Sequence, residues 1–136
     1  MNIPQLLRSQ VWERAQFRCE YCQLSQAGQE AVFNVDHVVP VVAGGVTELA
    51  NLALACVSCS LRKGARESAI DPANGTETPL FNPRRDHWHL HFQWEGTSLS
   101  GLSPTGRATI EALRLNRPLI VAIREEEITR GRHPLR

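Results

Sequence analysis

The chain has 136 residues, 42% hydrophobic and 21% charged, with a formal net charge of +1. That length suits one domain with a modest core, and the composition excludes low-complexity, disordered and membrane-spanning classes. So small a net charge gives no overall basic field of the kind that a phosphate backbone selects.

Ile3, Leu7 and Val11 recur at helical spacing with Leu6 beside them, so a helix is expected from Pro4 to Ala15. It leads into the first cysteine pair, Cys19 and Cys22. Ala31 to Val35 reads as a short strand ending at Asp36-His37, and Pro40 with Gly44-Gly45 opens a loop. A second strand is expected near Leu52 to Ala55, followed by a helix from Cys56 to Glu67 whose first turn carries Cys56 and Cys59. Asp71 to Arg85, rich in Pro, Gly, Asn and Thr, reads as an extended connector. From His87 to Trp94 the pattern alternates, placing Trp88, Leu90, Phe92 and Trp94 on one face of a strand and His87, His89 and His91 on the other. Glu95-Gly96 turns that strand into Thr97 to Leu102. Ser103 caps a helix with Pro104 at its first position, running to about Asn116, and Pro118 starts the last helix.

Two Cys-x-x-Cys pairs offer four thiolates in tetrahedral disposition, the set a structural zinc demands. The N-terminus lacks the apolar stretch of a signal peptide, so a cytoplasmic protein is expected, with thiols reduced and available as metal ligands rather than paired as disulfides. Arg62, Lys63 and Arg66 gather after the second pair and Arg84 adjoins Arg85, while Glu125-Glu126-Glu127 lies far downstream, which allows a local basic face.

The segment Asp36-His37-Val38-Val39-Pro40, then Gly44-Gly45, Glu48-Leu49-Ala50-Asn51-Leu52, Cys56-x-x-Cys59 and Lys63-Gly64 resembles an HNH endonuclease of the four-cysteine zinc variant. The opening Phe17-Arg18-Cys19-Glu20-Tyr21-Cys22 resembles the start of such domains, and the likeness covers about residues 10 to 66. The runs Leu80 to Arg84 and Gly101 to Thr109 resemble the C-terminal part of a small stand-alone bacterial subgroup.

The fold so implied is α+β: a ββα-metal core with a four-cysteine zinc over residues 1–70, and a hairpin with helices over 71–136 packed onto it as one compact domain. The resemblance implies a metal-dependent endonuclease acting on DNA phosphodiester bonds, with RNA left open as a substrate. His37, whose ordinary pKa lies near working pH, suits a general base that takes a proton from water. Asp36 suits a hard divalent ion, Mg2+ or Mn2+. Neighbours on a strand point to opposite faces, and the resemblance implies that this pair sits where the strand ends, so that both reach the site. Asn51 would be the middle residue of the triad, its amide bridging backbone across the loop. The third position, usually His or Asn, is Ser60 here, a shorter and poorer ligand. Lys63, about one helical turn after Cys59, is expected near the scissile phosphate with Arg62 and Arg66.

Two other classes compete. One is a zinc-stabilised nucleic-acid-binding module with impaired catalysis. The other is a subunit of a larger nucleic-acid-processing assembly, in which a protein partner supplies DNA targeting. His87, His89 and His91 share a face and form a weaker metal candidate, since histidines on a solvent face are common. The alternation of Trp88, Phe92 and Trp94 with leucine reads as core rather than as a base-stacking platform.

Overall fold

A computed structural model describes residues 2–135. The fold is α+β, built from short antiparallel strand pairs and helices. The chain divides into two compact units, Met1–Ala65 with Asn82–Arg85, and Arg66–Phe81 with Asp86–Arg136. No helix among the described residues is long and apolar enough to cross a membrane.

The first unit opens with α1 (Gln5–Arg14), which buries Val11 completely. Strands β1 (Asn34–His37) and β2 (Leu52–Ala55) pair antiparallel, with Asp36 opposite Ala53 and His37 opposite Leu52. All four residues of β2 are fully buried, so this strand is the floor on which the unit rests. The Arg14 guanidinium donates to the carbonyls of Leu49 (2.8 Å) and Leu52 (2.6 Å), tying the end of α1 to the entry of β2. The helix α2 (Val57–Lys63) follows β2 directly. It stops at Gly64, whose φ of +52° a β-carbon would resist, and so ends short of the expected Glu67.

Strand β1 begins at Asn34, later than the β-prone run at Ala31 suggested. The Gln26 side chain occupies that stretch: its amide donates to the carbonyls of Gln29 and Ala31, and its oxygen accepts from the Phe33 N–H (2.8 Å). With those backbone groups taken, Ala31 to Phe33 cannot join the ladder.

In the second unit, β3 (Ser68–Ile70) and β4 (Glu77–Pro79) form a hairpin where an extended connector was expected. Its turn is organised by Asp71, whose carboxylate accepts from the Ala73 N–H (2.9 Å) and whose carbonyl accepts from the Gly75 N–H (2.8 Å). Asp, Asn and Gly are the residues of tight turns as well as of irregular connectors, which is why composition alone misled. The alternating run is likewise broken. Trp88–His91 winds into a single turn, α3, before β5 (Phe92–Glu95) pairs with β6 (Ser98–Gly101). The turn brings Trp88 onto Phe92, with ring centroids 5.0 Å apart, and leaves Leu90 exposed. The three histidines therefore share no strand face, and His91 Nδ1 lies 2.6 Å from the Ser103 hydroxyl. Helices α4 (Pro104–Leu113) and α5 (Pro118–Thr129) complete the unit. Gly106 is required in α4, because a β-carbon there would sit 2.0 Å from the His91 carbonyl oxygen.

Candidate active site and metal centre

Cys19 and Cys22 lie in a tight turn. The Cys19 N–H donates to the Leu24 carbonyl, and the Cys19 carbonyl accepts from the Gln23 N–H. Cys56 caps α2 one turn before Cys59. The four ligand atoms all lie within 4.8 Å of one another, and all four residues are buried. The Sγ atoms of Cys22 and Cys56 are 3.7 Å apart. That is far beyond a disulfide bond and matches the edge of a tetrahedron with Zn–S bonds of about 2.3 Å, which is about 3.75 Å. Backbone N–H groups aim at two of the sulfurs, Cys22 N–H at Cys19 Sγ (3.5 Å) and Cys59 N–H at Cys56 Sγ (3.4 Å). Burial pushes the Cys19 thiol well up. Hydrogen bonds among the thiols, with burial behind them, push Cys59 up, and bonds from the other three hold Cys56 down. Four sulfurs in one buried space cannot all ionise without a cation among them, and a tetrahedral zinc fits both the geometry and the charge.

Asp36 and His37 end β1, and both line one cleft of about 480 Å³ together with Ser60, Arg8, Pro40, Val41 and Val42. The Asp36 carboxylate takes no hydrogen bond from any described residue. The His37 ring is fixed by the loop that follows: Nε2 lies 2.8 Å from Thr47 Oγ1. Ser60 Oγ accepts from the Asn34 side-chain amide (3.1 Å), which comes from two residues before Asp36 on the same strand.

The backbone after His37 is clamped on several sides. Asn51 accepts from the Val39 N–H (2.9 Å), and its amide donates to the carbonyls of Val39 (3.0 Å) and Val46 (2.9 Å). Gly45 lets the loop close onto this clamp, since a β-carbon would lie 1.8 Å from the Val39 carbonyl oxygen and 2.9 Å from the Asn51 amide nitrogen. Lys63 turns inward. Its side chain is 4% exposed, and its ammonium donates to the Val38 carbonyl (3.0 Å). α2 packs against β1, so a lysine on its last turn reaches inward and braces the strand end. Arg62 stays on the surface, donating to Ser58, and Arg66 donates to the Ala112 carbonyl.

Residues 19–66 match the family model of the HNH endonucleases. The matched segment contains all four cysteines, both residues that end β1, Asn51, Ser60 and Lys63. α1 and its Arg8 precede it. No curated protein matches the chain, and no solved structure does.

Sequence reasoning missed three participants: Thr47 on His37, Asn34 on Ser60, and Arg8 in the cleft. Asn34 had a signal, since i and i+2 on a strand share a face with Asp36. Thr47 and Arg8 arrive through loop closure and helix packing, which no local pattern announces. Among the described residues the four cysteines form the one group of three or more histidine, cysteine and acidic side chains close enough to share a metal. The trio of His87, His89 and His91 does not make a second.

Proposed function

We propose that the chain is a metal-dependent endonuclease that hydrolyses DNA phosphodiester bonds, with His37 as the general base. The observation that carries this reading is the shared cleft: an imidazole held by Thr47 beside a carboxylate with no hydrogen-bond donor among the described residues. In the tautomer that donates Nε2–H to Thr47, the lone pair of His37 lies on Nδ1, the atom that would take the proton from the attacking water. Asp36, with Ser60 beside it, offers the oxygen donors that a hard cation such as Mg2+ or Mn2+ prefers. When bound, such an ion would supply charge neutralisation at the scissile phosphate and at the leaving oxygen. Lys63 and Asn51 act as positioning residues, because each holds backbone adjoining the base.

Ser60 supports a second reading, a nucleic-acid-binding module with impaired catalysis. Its hydroxyl is a weak ligand, and one lone pair is already engaged by Asn34. Plasmid nicking across Mg2+, Mn2+, Ni2+ and Zn2+ separates the two. The endonuclease reading expects nicking by the wild type and a loss of about 10²–10⁴-fold in His37→Ala with zinc content unchanged. A wild type that is inert at every metal concentration sinks it.

A further inference from the structure

An active site for phosphodiester hydrolysis needs a cation on the non-bridging oxygens, and the residue expected to supply it is turned inward. Lys63 spends its ammonium on the Val38 carbonyl and is buried. The net charge of +1 offers no general field to replace it. Among the described residues one cationic side chain lines the cleft with Asp36, His37 and Ser60: Arg8, from α1. Its Nε donates to the Ile3 carbonyl (3.2 Å), which fixes the plane of the guanidinium. No acid among the described residues pairs with it, and its two terminal nitrogens have no partner there. An arginine held at Nε with both terminal N–H₂ groups unspent presents a fork that suits two oxygens of one phosphate.

We propose that Arg8 binds the scissile phosphate directly, as the cationic clamp of this active site, in the place that Lys63 does not fill. The inference rests on the endonuclease reading and adds to it a residue outside the segment that matches the family. It also gives α1 a part in substrate binding beyond covering β2.

Single-turnover nicking and DNA affinity of the variants Arg8→Gln, Arg8→Ala and Arg8→Lys test this. Glutamine removes the charge and keeps a donor for the Ile3 carbonyl, so it carries the test if the alanine variant does not fold. Nicking should fall about 100-fold in Arg8→Gln, in line with the loss of one preorganised donor to developing charge. Arg8→Lys should recover part of the rate, since an ammonium supplies charge without the fork. In a His37→Ala background, Arg8→Gln should lower the slope of log affinity against log salt by about 0.9, the share of one phosphate contact on duplex DNA. A merely structural role for Arg8 would leave that slope alone. Wild-type rate and unchanged slope in Arg8→Gln, with the parent enzyme active, overturn the clamp and leave the endonuclease reading standing. An inert parent with the slope still lowered overturns the endonuclease reading and keeps Arg8 as a phosphate contact.

Discussion

The two units hold their irregular segments in different ways. In the first, side chains reach for backbone. Gln26, Asn51, Lys63 and Arg14 each bind a carbonyl or amide outside the ladder, at Phe33, Val39, Val38 and Leu49, and four sulfurs converge where a metal would join the two knuckles. In the second, Asn116 and Arg124 also bind backbone, at Leu99 and Thr97, but they do so around an apolar core that includes Phe81, Phe92, Leu113 and Ile120, with the buried Asp71 carboxylate paired to Arg107. The difference has a functional meaning. A site that must present an acid and a base at a strand end needs loops fixed by directional bonds. A packed core alone would bury the reacting groups.

This contrast predicts very unequal responses to substitution. Cys59→Ser should have the largest effect, because apparent zinc-binding energies in small zinc domains are about 10–16 kcal/mol, as large as the whole stability of a typical domain. Native mass spectrometry should show no zinc in this variant, and its cooperative melting should be lost. A metal-free wild type carrying a Cys19–Cys22 disulfide would contradict the assignment.

Asp71→Asn should come next, through the second unit alone. The Asp71 side chain is fully enclosed, and Arg107 grips it with two bonds, 3.1 and 2.8 Å. The hydrogen bonds from Arg107, then that from the Ala73 N–H, hold the Asp71 carboxyl below its ordinary range. The stability it contributes is therefore present above the ordinary carboxyl pKa and is lost as pH falls through the lowered native value. Wild-type Tm should drop over that acid window, and Asp71→Asn should start lower and flatten the drop. Equal acid sensitivity in both proteins would show that the pair is not responsible.

Thr47→Val should leave stability nearly intact and slow nicking about 10-fold, a fraction of the about 10²–10⁴-fold that a general base contributes. Thr47→Ser, which keeps the hydroxyl, should restore the rate. The smallest response belongs to Glu126→Gln, which breaks the exposed pair with Arg130 and should leave Tm unchanged within error.

What the sequence disclosed follows the same division. The Cys-x-x-Cys spacing places sulfurs together because each knuckle is a local turn, and β2, four apolar residues between a loop and a cysteine, could be read directly. The adjacency of Asp36 and His37 needs no tertiary information either. Residues whose placement depends on another element approaching could not be read: Arg8 on α1, Thr47 after the Gly44-Gly45 loop, and the inward turn of Lys63. The hairpin around Asp71 and the turn at Trp88–His91 failed for a different reason. Turn residues serve connectors and hairpins alike, and a period of two over a short run does not exclude one helical turn.

The most direct test of the account is binding and cleavage measured on the same duplex, under single turnover, for the wild type and His37→Ala. The account predicts that both proteins carry one zinc and bind DNA equally, and that only the wild type cuts when Mg2+ or Mn2+ is added. Equal cleavage by the two proteins, or binding without cleavage by both, would contradict His37 as the base of a working nuclease.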